Sequence, residues 1–153
     1  MKKILVLALF SFSSISFASE LSHLNGDYQL TTGDKNCFET LNIAISEKGI
    51  NLYGDLVNEI INADLSDINT GKKEIRNSTE HGFYKIDFDE ENSTLGYFEK
   101  GRQSLTEDGL GVIPYRIELG LKQNTDGSLD MNFKSINIFS ARSIKNMSCV
   151  YSK

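Results

Sequence analysis

Apolar and polar residues alternate along much of this chain, most clearly in its second half. Residues 115–121 place an apolar side chain at every second position, and residues 129–133 repeat the pattern. Between them, residues 124–127 read Asn-Thr-Asp-Gly, which supplies a turn. Alternation on both sides of an Asp-Gly turn is the strongest local signal for a β-hairpin. The pattern therefore predicts two antiparallel strands here.

Further short alternating segments predict strands elsewhere; they are residues 27–31, 41–46, 50–52, 84–88, 94–98, 135–140 and 147–152. We expect about 8–10 strands, joined by short polar loops and each with one face in water. This alternation is typical of antiparallel sheets, whereas parallel strands read as continuous apolar runs. The predicted fold is all-β: a single antiparallel β-barrel or a two-sheet sandwich, either of which would protect the strand edges.

The segment 55–69 fits two structures. Its apolar residues have helical spacing and Asp55 could cap a helix, but the segment also divides into strands at 56–61 and 64–68. Periodicity cannot separate the two in so short a stretch. Because the surroundings are β throughout, we favour the strands. The following segment, 71–82, is rich in charge and is predicted to be an exposed loop.

The first eighteen residues have the order of a secretory signal peptide of bacterial type. Lys2 and Lys3 precede an apolar run at 4–10, and Ser16-Phe17-Ala18 forms a small-x-small cleavage site. We therefore expect cleavage between Ala18 and Ser19, which leaves one domain at 19–153. No cysteine stands at the cleavage point and no second apolar stretch could span a bilayer. The predicted location is periplasmic or secreted, as a soluble protein and not a lipoprotein.

Charge and cysteine content narrow the partners and the compartment. The formal net charge is −5, and loss of the two leader lysines makes the chain more acidic, which argues against nucleic acid and anionic membranes as partners. Cys37 and Cys149 are the two cysteines. In an exported chain they are expected to form one disulfide, since no Cys-x-x-Cys or zinc-ligand spacing is present.

No pattern in the chain predicts catalysis. His23 lies near the mature N-terminus and His81 in a polar segment, and no Gly-x-Ser-x-Gly frame surrounds a serine. The acidic turn at 87–91 lacks the EF-hand pattern for calcium, and no glycine-rich loop has phosphate-binding context. Basic residues do not cluster along the sequence. We therefore expect no enzymatic activity, no metal and no cofactor.

The first predicted strand opens with Gly26-Asp27-Tyr28. This Gly-x-Tyr resembles the Gly-x-Trp that opens the first strand of lipocalins, which are eight-stranded barrels that bind small apolar ligands. Chain length, the signal peptide and a disulfide to the C-terminal segment are similar too. The resemblance implies that Tyr28 is a barrel-closing core residue, with Arg142 as a packing partner.

Two functions follow as hypotheses. The first is a non-enzymatic binding protein that holds a small apolar ligand against the inward residues Tyr97, Tyr115, Met131 and Phe133. The second is a protein–protein module, such as a periplasmic inhibitor of a cationic enzyme like a lysozyme, which would present the segments 71–82 and 101–111. Tyr53, Phe83 and Phe139 fall on the opposite phase from their apolar neighbours and could mark a binding surface.

Overall fold

The computed structural model describes residues 19–55, 57–77, 79–104, 111–137 and 145–153. The predicted signal peptide at 1–18, which includes Ala18 of the predicted cleavage site, lies outside the described residues. Phe139 and Arg142 lie outside them too. Ser19 is the first described residue and is exposed. Among the described residues, no helix has the length and apolar character needed to cross a membrane.

The described chain is almost entirely β. Its ten strands are β1 (Gly26–Gly33), β2 (Thr40–Ser46), β3 (Gly49–Gly54), β4 (Val57–Ala63), β5 (Lys73–Arg76), β6 (Glu80–Asp89), β7 (Thr94–Ser104), β8 (Val112–Gln123), β9 (Leu129–Asn137) and β10 (Lys145–Ser152). They form one antiparallel sheet in the order β4-β3-β2-β1-β10-β9-β8-β7-β6-β5. The all-β antiparallel prediction is therefore confirmed.

The sheet is curled into a half-barrel. A second sheet, as in the sandwich alternative, is not formed by the described strands, which all belong to the one sheet. The inner face of the curl carries the core, whereas alternate residues on the outer face contact water. Pairing of β1 with β10 joins the two ends of the chain in the middle of the sheet.

The predicted hairpin at 115–133 is β8 and β9. Leu119 lies opposite Phe133 and Leu121 opposite Met131, so the apolar phases of both strands share one face. At the turn, Gly127 has φ of 85°, a left-handed value that favours glycine. Asp126 accepts a hydrogen bond of 2.9 Å from the Ser128 amide, which fixes the return of the chain.

The predicted disulfide joins Cys37 and Cys149, whose Cα atoms are 5.9 Å apart. It attaches the loop after β1 to β10 and spans 112 residues of sequence. Space beside it is limited, because a Cβ at Gly33 would come within 2.6 Å of the Cys37 Sγ. Glycine at position 33 therefore allows the backbone of β1 to approach the bridge closely.

The segment 55–69 is part strand and part turn. The predicted strand at 56–61 is confirmed as β4, but the predicted strand at 64–68 is wrong, since a 3₁₀ turn (Leu65–Asp67) occupies it. The cause is local: the Asp64 side chain accepts a hydrogen bond of 2.8 Å from the Ser66 amide and caps the turn. Leu65 then points into the core with no exposed area.

The prediction of an exposed loop at 71–82 is also wrong, because β5 and the first residues of β6 lie there. β5 is a four-residue strand at the end of the sheet, and Ile75 is its one apolar residue. A short, charged strand is how natural sheets protect an edge, so the composition resembles that of a loop.

The core is continuous along the inner face and combines residues from nearly every strand. Tyr28 lies at its centre with no exposed area, and its hydroxyl donates a hydrogen bond of 2.8 Å to the Leu24 carbonyl. Lys153 packs over the opposite side, with its Nζ 5.3 Å from the centre of the Tyr28 ring. Tyr28 is thus a core residue.

Candidate functional site

The structure brings the four predicted ligand-binding residues to the inner face of three adjacent strands. Leu119 of β8 lies directly between Tyr97 of β7 and Phe133 of β9 in one cross-strand row. Met131 is one row further into the core and has no exposed area, while Tyr97 is 6% and Phe133 9% exposed. Met131 and Phe133 therefore form the packed base of this region.

Tyr115 lies two cross-strand rows from Tyr97, towards the first residues of β6 and β8, and is only half-buried. Its ring lies over Gly101, where an added Cβ would come within 2.8 Å of the Tyr115 hydroxyl. Glycine at 101 thus leaves the space that the tyrosine ring occupies. Opposite Gly101 on β6 is Gly82, so two glycines are paired one row beyond Glu99.

A carboxylate connects the two tyrosines. Tyr97 donates a hydrogen bond of 2.5 Å to the Glu99 Oε2, and Tyr115 donates one of 2.5 Å to the Glu99 Oε1. The Tyr115 hydroxyl also contacts the Glu80 Oε1. Both glutamates are half-buried on the inner face. Hydrogen bonds to carboxylates are among the stronger polar contacts in proteins, so this arrangement holds the two rings in place.

Tyr84 extends the arrangement towards the 3₁₀ turn. Its ring stacks on that of Tyr97, with centroids 6.0 Å apart, and its hydroxyl contacts the Asp67 carboxylate. Lys73 forms a salt bridge of 2.8 Å with the other oxygen of Asp67. We call Tyr84, Tyr97, Tyr115, Glu80 and Glu99 the tyrosine–carboxylate cluster.

The environment of the cluster keeps its phenols protonated. Burial raises the pKa of Tyr84, Tyr97 and Tyr115 far above the ordinary value, and the neighbouring carboxylates raise it further. The glutamates favour the neutral phenol because a phenolate beside a carboxylate would place two negative charges together. The hydroxyl groups therefore remain hydrogen-bond donors at neutral pH.

These pKa shifts predict alkaline unfolding. Tyr97, Tyr115 and Tyr151 ionise near pH 10 in the unfolded chain, whereas the folded pKa values are higher, about 12 for Tyr151. A raised folded pKa stabilises the protein fully below pH 10, and that stability is lost as the pH rises above 10. We expect the free energy of unfolding, measured in urea, to be flat from neutral pH to about pH 9 and to fall steeply above 10.

Tyrosinate absorbance provides the check on this prediction. It should appear together with the loss of near-ultraviolet circular dichroism, because the buried phenols ionise only as the chain unfolds. Complete ionisation of all six tyrosines near pH 10 in a chain that stays folded would contradict the burial and pairing described above.

Glu80 and Glu99 were missed as candidate residues, although the sequence contains a signal for them. Glu99 falls two residues after Tyr97 on the inward phase of β7, and Glu80 stands on the inward phase of β6. A carboxylate on the apolar phase of a strand is costly to bury without partners, which marks it for attention. The partners, Tyr97 and Tyr115, become evident only when β7 and β8 are paired.

The other chemical candidates are apart from the cluster. His81 is exposed on the outer face of β6. His23 lies before β1, in a short 3₁₀ helix (Ser22–Leu24), with its Nδ1 2.5 Å from the Glu20 carbonyl oxygen. The described residues contain no group of three or more His, Cys, Asp or Glu that could hold a metal ion. What the cluster offers is two carboxylates and three aromatic rings, which suit a positively charged or hydrogen-bond-donating group.

Comparison of the chain with protein-family models, with curated proteins and with solved structures finds no match.

Proposed function

We propose that this protein is an exported, non-enzymatic binding protein that holds a small ligand on the inner face of its half-barrel. One observation carries the proposal: Tyr97 and Tyr115, both predicted ligand-binding residues, converge on Glu99 where the apolar face ends. The disulfide supports export, because such bonds persist in oxidising compartments. The lipocalin resemblance at Gly26–Tyr28 supports a ligand-binding curled sheet.

The chemistry of the cluster suggests the ligand class. Tyr84 and Tyr115, which are half-buried, supply aromatic surface, and Glu80 and Glu99 supply negative charge beside it. Aromatic faces and carboxylates together attract ammonium groups. We therefore infer a ligand with an apolar body and one basic group, whose cation would join the tyrosine hydroxyls as a further partner of the glutamates.

Three naphthalene compounds that differ only in one substituent test this inference. They carry an aminomethyl, a hydroxymethyl or a carboxymethyl group. We expect the amine to bind about tenfold more tightly than the alcohol, because one hydrogen bond between charged groups contributes about 1.5–3 kcal/mol. The carboxylate should bind least. Isothermal titration calorimetry measures all three affinities.

Matched variants connect the result to the cluster. Glu99→Gln should remove the preference for the amine, and Tyr115→Phe should weaken binding of all three compounds. Tyr53→Phe makes the same chemical change on the outer phase of β3 and should leave binding unchanged. Equal affinities for the three compounds, or equal effects of the two tyrosine variants, would count against an inner-face site.

A further inference from the structure

A second feature lies on the opposite side of the same strands. Residues 81–83 of β6, residues 100–102 of β7 and Pro114 of β8 line an open groove on the outer face, which encloses about 540 Å³. We call it the outer groove. Its volume falls within the range of small-molecule sites in proteins. It contains no residue of the tyrosine–carboxylate cluster.

The groove is basic in a chain that is acidic overall. His81, Lys100 and Arg102 are exposed along it, and none of the described residues that line it is acidic. Strand pairing sets the spacing: His81 lies opposite Arg102, and Lys100 is two residues before Arg102 on β7. Net charge of −5 gives no hint of this concentration, because the pairing brings together residues that are separate in the sequence.

The groove cations have no acidic partners among the described residues, where Lys100 and Arg102 form no salt bridge. Neighbouring cations on the same face differ: Lys85 forms a salt bridge of 2.6 Å with Asp87, and Arg116 pairs with Glu118. The cations beside the groove are thus paired with carboxylates, whereas Lys100 and Arg102 within it are not. Unpaired positive charge favours an anionic ligand.

An aromatic wall accompanies the charge. Phe83 lines the groove and stacks on Phe98, with ring centroids 5.8 Å apart. Lys72 lies over the Phe83 ring at 4.6 Å, and the Arg116 guanidinium lies over Phe98 at 5.0 Å. These cation–π contacts place a positive charge over each ring. The wall thus presents apolar surface beside cationic groups.

We propose that the outer groove binds an acidic oligosaccharide. Its carboxylates would pair with Lys100 and Arg102, and the C–H face of a sugar ring would pack against the part of Phe83 that lines the groove. The Cys37–Cys149 disulfide indicates an oxidising compartment, which favours a cell-surface glycan over a nucleic acid.

Calorimetry with tetragalacturonate, a carboxylated oligosaccharide, tests the proposal, with neutral maltotetraose as the comparison. We expect tetragalacturonate to bind and its affinity to fall with added salt, while maltotetraose shows no binding. Lys100→Gln/Arg102→Gln should weaken binding by about tenfold or more, since it removes two charged contacts. Phe83→Leu should weaken binding while leaving the salt dependence unchanged.

Lys35→Gln/Lys48→Gln is the matched control. Both lysines are exposed in the loops that flank β2, and the variant changes the net charge by the same amount. Both double variants should keep the wild-type melting temperature, because all four residues are exposed. Three results would overturn the proposal: equal binding of the two oligosaccharides, equal losses in the two double variants, or tighter binding of a single-stranded oligonucleotide or of phosphatidylglycerol vesicles than of tetragalacturonate. None of these results bears on the inner-face site.

Discussion

Replacing both cysteines, as Cys37→Ala/Cys149→Ala, is expected to lower the free energy of unfolding by about 4–5 kcal/mol. The bridge spans 112 residues, so its loss restores a large amount of conformational freedom to the unfolded chain. Domains of this size are commonly stable by only about 5–15 kcal/mol, so the change removes a large share of the total. Urea denaturation of the wild-type and variant chains at equal pH measures the difference.

Reduction of the wild-type chain is the matched comparison for this variant. It should produce the same shift as the double substitution, because both remove the same cross-link. The oxidised protein should also be two hydrogens lighter than its reduced formula. A denaturation midpoint that does not move on reduction would mean that the bridge adds no stability to the curled sheet.

Truncation of the central tyrosine should have the next largest effect. Tyr28 has no exposed area, and its hydroxyl is bonded to the Leu24 carbonyl. Tyr28→Ala leaves a cavity and an unpaired carbonyl, and comparable core truncations of aromatic residues cost about 3–5 kcal/mol. Tyr28→Phe keeps the ring and should cost only about 1 kcal/mol.

Tyr53→Ala is the control for the truncation of Tyr28. Tyr53 is half-buried on the outer phase of β3, so its replacement should cost much less than that of Tyr28. Urea denaturation of all three variants ranks them directly. If Tyr28→Ala and Tyr53→Ala were equally costly, Tyr28 would not be the core residue that its burial indicates.

Strands with one solvent-exposed face could be predicted from the sequence, because apolar residues alternate there with polar ones as buried positions alternate with exposed ones. β8 and β9 show this best: their inward residues are apolar, their outward residues are polar, and Asp126-Gly127 specifies the turn. The disulfide was predicted because the chain has two cysteines, a predicted signal peptide and no Cys-x-x-Cys or zinc-ligand spacing. These inferences depend on local chemistry, which the sequence displays without reference to distant residues.

The misassigned segments depend on longer-range contacts. β5 has one apolar residue, Ile75, and is a strand because β6 provides its hydrogen-bond partners. Residues 65–67 turn instead of extending because Asp64 caps them and Leu65 fits the core. Hydrophobic periodicity shows neither the pairing of β5 with β6 nor the capping by Asp64. The sequence pattern therefore predicted a loop at 71–82 and a strand at 64–68.

The candidate sites were predictable only in part for the same reason. Tyr97 and Tyr115 were identified by their inward phase, but their shared partner Glu99 required the register of β7 against β8. On the outer face, His81, Lys100 and Arg102 come together through the pairing of β6 with β7. These residues are not neighbours in the sequence, which does not show which strands pair.

Native mass spectrometry of the protein, purified without denaturation from the cells that make it, tests the inner-face site most directly. The wild-type chain should carry an extra mass that denaturation removes, and a Glu99→Gln/Tyr115→Phe chain prepared in parallel should be bare. Added naphthylmethylamine should likewise remain bound to the wild-type chain alone. Two bare chains in the presence of excess amine, or the same extra mass on both chains, would contradict a ligand site at the tyrosine–carboxylate cluster.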